Sequence, residues 1–184
     1  MVQTKRVLIV PFGFDLERNR AGEVILGPGT KLACDEAVRI GRDLWSEGHE
    51  VHILTTATRA PKYDQAMLGE LMQNYLWAKL YEYPERNFNV TVTFSEASSF
   101  NTLGEVLATA DYLEQNDFDE VRFAVKKWHL RRVKMLVLKV FARRRIRAYP
   151  HFDVHRHWPG LRDRFFREPL ALILNWWRLR KMYP

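Results

Sequence analysis

The stretch VTVTFSEASSFNTLGEV, residues 90–106, places a strand pattern, a polar loop and a helix pattern in direct succession. Its first five residues alternate between apolar and threonine side chains, which is typical of a β-strand. From Thr102 onward the apolar residues recur at helical spacing, and we predict a helix over residues 102–115. The chain therefore contains a strand–loop–helix unit whose loop is rich in hydroxyl, amide and carboxyl groups.

The same order of strand and helix recurs along the chain to either side. Four more strands are predicted at residues 7–10, 51–54, 121–125 and 145–149, and four more helices at about 30–47, 64–80, 129–142 and 162–181. Residues 14–29 and 150–160 are predicted as loops. Strands that alternate with helices favour right-handed βαβ units and a parallel sheet covered on both faces. We therefore expect one domain over residues 1–184, a three-layer α/β/α Rossmann-like sandwich with a mainly parallel sheet of about five strands.

The composition is that of a globular chain, with 47% hydrophobic and 28% charged residues. The longest apolar runs, VLIV and LALILNWW, are far shorter than the roughly 18 residues that cross a bilayer, so no transmembrane segment is expected. The N-terminal run is also too short for a signal sequence. Cys34 is the single cysteine, which mildly favours a reducing compartment. We expect a cytoplasmic protein.

Charge is distributed unevenly along the chain. Residues 1–120 hold 11 Lys/Arg and 19 Asp/Glu, whereas residues 121–184 hold 18 and 3. Such a split is compatible with an acidic partner, a nucleic acid or an anionic membrane surface. It is equally compatible with basic helices that face water or that pair with the acidic half inside one fold.

A parallel sheet binds ligands beyond the carboxyl ends of its strands, so the loops after Val10, Leu54, Phe94 and Val125 are candidate site loops. In the third of these loops, Thr102 and Glu105 fit a capping box that starts the following helix. Asn101 or Ser99 fits the cap equally well. Capping leaves some polar residues before the helix unexplained, namely Glu96, Ser98 and Ser99. Because a helix N-terminus surrounded by hydroxyls also binds anions, this loop is a candidate site as well as a candidate cap.

The fourth loop contributes His129 and Arg132, which are three residues apart at the start of a helix and point the same way. A histidine there can move a proton, and an arginine can hold a phosphate or carboxylate with two hydrogen bonds. The alternative is a surface histidine on a basic helix. Since both loops open at the same sheet edge, we expect His129 and Glu96 as acid/base candidates, Arg132 as the anion holder, and Asn101 and Ser99 as residues that orient the ligand.

The order E-x-x-S-x-N-T-x-x-E before a helix, then a strand, then H-x-x-R opening the next helix, resembles the YdcF-like family, which includes SanA- and ElyC-type proteins and is described as a domain of unknown function. The strand end VLIVPFG and the turn ILTTAT are also similar to the family's pattern, which adds Gly13 and Thr56 as candidate ligand-binding residues. The family motif matches the following residues: Glu96, Ser99, Asn101, Thr102, Glu105, His129 and Arg132.

The resemblance implies a three-layer α/β fold with a polar site at the strand C-termini. Because one member of the family is described as binding S-adenosylmethionine, it also makes this molecule a candidate cofactor. Two features depart from the family: Thr56-Ala57-Thr58 stands where Ser-Gly-Gly is usual, and the arginine expected early in the first helix is not evident in KLACDEAVR, whose one arginine is its last residue. Both differences alter the pocket relative to that of the family, so the resemblance does not identify the ligand of this chain.

Other motifs are weaker. GPGTK, residues 27–31, fails the Walker pattern and is interpreted as a helix-entry turn or as an added pocket wall. The segment HFDVHRH contains His151, Asp153, His155 and His157 without zinc-site spacing, so we expect no metal. An NAD fingerprint and a G-x-S-x-G nucleophile elbow are both missing.

Three functions remain open from the sequence. The first is an enzyme or binding domain for a small anionic ligand, nucleotide-like or phosphorylated, with a transferase or a hydrolase as the candidate enzyme class. The second is a nucleic-acid-binding module that uses the basic last third, including Lys126, Lys127, Arg131 and Arg143–Arg145. The sequence lacks nucleic-acid-binding signatures, so this partner is not favoured. The third is an interaction domain that uses the helix of Trp176 and Trp177. The sequence does not indicate an oligomeric state.

Overall fold

A computed structural model describes residues 3–13, 15–57, 59–60, 66–82, 90–96, 101–155 and 168–182. Nine strands are described in these ranges: β1 (Arg6–Pro11), β2 (Leu16–Arg18), β3 (Val24–Leu26), β4 (Glu50–Ala57), β5 (Arg59–Ala60), β6 (Ala66–Met67), β7 (Val90–Glu96), β8 (Glu120–Lys126) and β9 (Tyr149–His155). The helices described there are α1 (Pro28–Ser46), α2 (Leu68–Tyr81), α3 (Thr102–Gln115), α4 (Leu130–Arg144) and α5 (Glu168–Met182).

Five of the strands form one parallel sheet in the order β7-β4-β1-β8-β9. From the central strand β1 the chain adds β4 and then β7 on one side, and afterwards β8 and then β9 on the other side. This order is that of a doubly wound Rossmann-like sheet, so the predicted fold class is confirmed. The strand order reverses between β1 and β8, and the crevice beyond their carboxyl ends is the expected ligand position.

The two faces of the sheet bury two separate apolar clusters. In β1, Val7 and Ile9 face α1 and α2. Leu8 and Val10 face the other way, into a cluster shared with α3 and α4. Successive strand residues point to opposite faces, so a continuous apolar run such as VLIV marks a strand buried on both sides. The helices therefore form a layer on each face of the sheet.

The predicted loop at residues 14–29 contains an antiparallel hairpin, β2 with β3, and that prediction is wrong in part. The side chain of Asn19 forms its turn by accepting hydrogen bonds from the backbone N–H groups of Ala21 and Glu23, at 2.9 and 3.0 Å. Gly22 has a φ of 83°, which glycine adopts without strain. Only Leu16 and Leu26 are buried, so the hairpin lacks the apolar run that reveals a central strand.

The fifth sheet strand lies later than predicted. Residues 145–148 join α4 to β9, because Arg145 adopts a left-handed φ of 55° and Ile146 N donates to Phe141 O at 3.0 Å, which ends the helix. The strand itself is Tyr149–His155, most of which was predicted as loop. As an edge strand it is half exposed and polar, so its sequence does not show the apolar pattern of the central strands.

The helices lie close to their predicted positions. Helix α3 has the predicted bounds, α1 begins two residues earlier, and α4 begins at Leu130 and extends to Arg144. Helix α2 begins at Leu68, after the short strand β6, and the predicted residues 162–167 of the last helix lie outside the described residues. None of the helices in the described ranges is long and apolar enough to cross a membrane.

Candidate functional site

Asn101 caps the N-terminus of α3. Its Oδ1 accepts a hydrogen bond from Gly104 N at 3.0 Å, and Glu105 N donates to its carbonyl at 3.1 Å. The prediction of a capping box formed by Thr102 and Glu105 is therefore wrong, and the alternative cap Asn101 is the one observed. Since Thr102 is the first helical residue, its hydroxyl is available for another partner.

That partner is His129, which directly precedes α4. Thr102 Oγ1 lies 3.0 Å from His129 Nε2, and Arg132 Nη2 is hydrogen-bonded to the same ring nitrogen. Because a guanidinium has donors and no acceptor, Nε2 must be the accepting nitrogen. The neutral ring then carries its proton on Nδ1. The N-termini of α3 and α4 are thus joined through one imidazole, in agreement with the expectation that the two loops open at the same sheet edge.

The surroundings of His129 keep the ring neutral. The residue is 2% exposed, Trp128 stacks on it with ring centroids 5.5 Å apart, and Phe12 meets it edge-on at 6.2 Å. Burial, together with the positive charges of Arg132 and Lys126, lowers the pKa of His129 well below the usual histidine value. At neutral pH the imidazole is a hydrogen-bond acceptor at Nε2 and is uncharged.

A lysine that the sequence analysis assigned to a basic surface belongs to this site. Lys126 is the last residue of β8 and is 1% exposed, with its Nζ 5.8 Å from the centroid of the Trp128 ring. It sits at the carboxyl end of a central strand, where the fold places ligands. The sequence indicates where this lysine lies, since the strand VRFAV ends directly in it, but the sequence does not indicate that the side chain is buried.

Glu105 is buried in the first turn of α3. Burial raises its pKa well above the usual value for a glutamic acid, and the positive charge of Arg132 opposes that rise only in part. Among the described residues, none forms a hydrogen bond with its Oε1. A carboxyl group in this position takes up a proton more readily than in water, which limits the negative charge it brings to the site.

Thr56, near the end of β4, is another buried polar residue of this region. Leu54 lies in the cluster that packs on α3 and α4, and alternation along the strand places Thr56 on the same face. The residue is 0% exposed, and within the described part of the chain its Oγ1 has no hydrogen-bond partner. Since α3 packs against β4, this hydroxyl faces the layer that carries Asn101 and Thr102.

The other residues predicted for the site are described by packing or by strand register, or lie outside the described residues. Gly13 follows β1 and is buried, and a Cβ there would meet Met72 Sδ at 2.6 Å, so close packing against α2 accounts for the glycine. Glu96 is the last residue of β7, in register with Ala57 at the end of β4. Ser98 and Ser99 lie outside the described residues.

The N-terminus of α1 is occupied by a side chain of the same protein. Asp15 accepts hydrogen bonds from the backbone N–H groups of Gly29, at 3.0 Å, and Thr30, at 2.7 Å. A Cβ on Gly27 would lie 2.6 Å from Asp15 Cγ, so the glycine allows this close approach. GPGTK is therefore a helix-entry turn, as predicted, and the carboxylate fills the position that a phosphate takes in many Rossmann-like proteins.

Asp153, from the segment considered for metal binding, and Arg144, from the basic third, each form ion pairs within the protein. Asp153 pairs with Arg122 at 3.0 Å, and no group of three or more metal-ligating side chains occurs in the part of the chain that the structure describes. His157 lies outside that part. Arg144, one of the basic residues considered for nucleic-acid binding, forms ion pairs with Asp111 and Glu114. The basic third thus neutralises part of the acidic half.

Comparison of the chain with protein-family models, with curated proteins and with solved structures found no match.

Proposed function

We propose that this chain is a YdcF-like protein that binds a small anionic ligand, nucleotide-like, S-adenosylmethionine-like or phosphorylated, at the carboxyl edge of the sheet. The observation that carries the proposal is the junction of α3 and α4, where Thr102 and Arg132 both contact Nε2 of a buried His129. Two helix N-termini converge there at the edge of a Rossmann-like sheet, which is the usual ligand position of this fold.

The electrostatics of this junction favour an anion. Each helix N-terminus carries the equivalent of about half a positive charge. Arg132 and the buried Lys126 add two cations, while the raised pKa of Glu105 reduces the opposing negative charge. At α1 the corresponding position is filled by the carboxylate of Asp15, whereas α3 is capped by the neutral side chain of Asn101 and no side chain caps the start of α4.

His129 is the acid/base candidate of the proposal. Its neutral Nε2 has the lone pair of a general base, but Arg132 occupies that lone pair. An anionic ligand that draws the guanidinium of Arg132 to itself would release Nε2 for proton transfer. If the protein is an enzyme, a transferase or hydrolase acting on a phosphorylated or nucleotide-like substrate fits this arrangement. The resemblance to YdcF-like proteins keeps S-adenosylmethionine as a candidate cofactor.

The test is thermal unfolding of the purified protein with a panel of nucleotides, S-adenosylmethionine and sugar phosphates. A ligand of the folded state raises the unfolding temperature with its concentration. Arg132→Gln and His129→Gln should abolish the shift. Arg131→Gln is the matched control, because it removes the same charge from an exposed neighbouring position on α4. A shift that survives both site variants would place the ligand elsewhere, and the absence of any shift across the panel would contradict the proposed ligand class.

A nucleic-acid-binding module remains the alternative, favoured by exposed basic residues on α4 such as Arg131, Lys134 and Arg143. This function predicts an affinity that falls steeply with salt, because each phosphate contact releases counterions. Retention on DNA or RNA that is insensitive to salt, or no retention, would exclude it.

A further inference from the structure

Helix α5 presents an apolar stripe to solvent. Leu170, Ile173, Leu174 and Trp177 follow the spacing i, i+3, i+4, i+7, so they share one face of the helix. Their side chains are 59%, 62%, 45% and 51% exposed, respectively. We call these four residues the outer face of α5. A contiguous apolar face of this kind on a protein surface marks an interaction site.

The opposite face of the same helix holds it to the protein. Asn175 and Leu179 are buried, at 4% and 3% exposure, and α5 packs on α4. The inward face thus combines a polar asparagine with a leucine, while isoleucine and tryptophan lie outward. Burial in this protein's own core does not explain the outer face.

Cations surround the outer face. Lys181 Nζ lies 3.7 Å from the centroid of the Trp177 ring, and the Arg180 guanidinium lies 5.5 Å from that of Trp176. The sequences of α4 and of residues 169–182 contain no aspartate or glutamate. They contain nine basic residues, namely Arg131, Arg132, Lys134, Lys139, Arg143, Arg144, Arg178, Arg180 and Lys181.

A groove between α4 and α5 continues this surface. It has a volume of about 600 Å³ and combines an apolar floor with a cationic rim. Its lining consists of Leu138, Lys139, Ala142, Arg143, Trp176, Leu179 and Arg180. An occupant with an apolar chain and an anionic head matches both parts of this lining.

We propose that the outer face of α5 binds the surface of an anionic phospholipid membrane, with the helix lying in the plane of the interface. Leucine, isoleucine and tryptophan side chains enter the boundary between head groups and acyl chains, while lysine and arginine reach the head groups. Charge complementarity favours this occupant over a second copy of the chain, because pairing two such surfaces would bring cations against cations. The proposal is independent of the ligand site at His129.

The apolar contribution is tested by sedimentation with vesicles of phosphatidylcholine alone and of phosphatidylcholine mixed with phosphatidylserine. The full chain should bind the mixed vesicles and bind pure phosphatidylcholine much more weakly. Ile173→Asn should reduce the partition coefficient about tenfold or more, since it removes an apolar side chain from the interface. Leu32→Asn is the matched control, because Leu32 is a 40% exposed leucine on α1, and it should leave binding unchanged.

The electrostatic contribution is tested with Arg178→Gln and Lys181→Gln. Each should reduce binding to the mixed vesicles about fivefold, which corresponds to about 1 kcal/mol per charge near an anionic surface. Arg20→Gln, at the exposed turn of the hairpin, should have no effect. Circular dichroism and the unfolding temperature verify that each variant is folded, and the exposed positions of these side chains make loss of the fold unexpected.

Other occupants give different results. Equal binding to both vesicle types, or binding that Ile173→Asn does not change, would overturn the proposal. So would a dimer in sedimentation equilibrium that Ile173→Asn dissociates, since the face would then bind a second copy. Loss of vesicle binding in Ile173→Asn with unchanged nucleic-acid retention supports the membrane surface, because phosphate contacts need only the cations.

Discussion

At the scale of single residues, one ring nitrogen connects the parts of the candidate site. His129 Nε2 contacts α3 through Thr102 and its own helix through Arg132. The positive charge next to the ring therefore adds to the larger effect of burial on the pKa of His129. Both effects act in the same direction, since each disfavours a second proton on the imidazole.

Arg132→Gln should raise the pKa of His129 toward its usual value, because the variant removes a positive charge beside the ring. Part of the depression should remain, since burial is its larger cause. The pKa is measured by following the ring signals of His129 in an NMR titration. Arg131→Gln should leave the pKa as it is in the parent protein, and an equal rise in both variants would mean that the charge of Arg132 has no special effect.

Glu105→Gln should stabilise the protein at pH 7. The folded-state pKa of Glu105 is raised, so folding at neutral pH opposes the ionisation that the unfolded chain favours. Below the unfolded pKa the carboxyl is protonated in both states and this cost disappears. We expect a gain of about 1–3 kcal/mol in the free energy of unfolding at pH 7, and a smaller gain near pH 4.

The measurement for Glu105→Gln is urea unfolding at both pH values, with Glu114→Gln as the control. Glu114 lies on the same helix and is exposed, so its variant should show no comparable gain at pH 7. A Glu105→Gln variant that is less stable than the parent at pH 7 would show that the carboxylate is ionised and stabilised in the folded protein.

At the scale of elements, the start of α1 depends on a residue twelve positions before Gly27. Asp15 accepts two backbone hydrogen bonds at that helix end, at 3.0 and 2.7 Å. Asp15→Ala should therefore reduce the free energy of unfolding by about 1–2 kcal/mol, the usual cost of losing a helix cap. Denaturant titration measures this loss. Glu17→Ala, at an exposed position two residues later, should cost much less, and equal losses would contradict a capping role.

Elements with a strong local pattern were predictable, and those fixed by tertiary contacts were not. Helix α3 begins and ends where the sequence indicates, because a polar cap residue precedes a long apolar repeat. Strand β9 was misplaced, because among the described strands it pairs only with β8 and much of its surface is exposed, so its side chains need not be apolar. The hairpin of β2 and β3 depends on the turn chemistry of Asn19, which hydrophobic periodicity does not detect.

At the scale of the whole molecule, His129 contributes a stability that depends on pH. Its folded pKa is lowered, so below about pH 6.5 the unfolded chain binds a proton that the folded protein excludes. The free energy of unfolding therefore falls as pH drops from about 6.5 toward the lower folded-state pKa of His129.

The parent protein should lose about 1 kcal/mol of stability relative to His129→Gln between pH 7.5 and pH 5.5. Unfolding curves of both proteins at several pH values measure this difference. His151→Gln, which removes a histidine whose side chain is 41% exposed, is the control for the loss of an imidazole as such. Parallel pH profiles for the parent and His129→Gln would mean that the imidazole binds its proton equally well in both states.

The candidate site was predictable in its location and only partly in its members. The doubly wound pattern indicates the carboxyl edge of the sheet, and the contacts of Thr102, His129 and Arg132 agree with that location. The burial of Lys126 was not predictable from its position in a basic segment, because burial depends on how Trp128 and the neighbouring strands pack around it.

The position of β1 in the centre of the sheet has a consequence for synthesis of the chain. The backbone of Arg6 is hydrogen-bonded to Asp119, 113 residues away in sequence. At typical translation speeds, β1 therefore waits on the order of ten seconds with one hydrogen-bonding edge open before β8 is made. During that interval VLIV is an exposed, uncharged strand that is able to pair with other chains. Nascent-chain protection by chaperones should thus be needed most in the first two-thirds of translation.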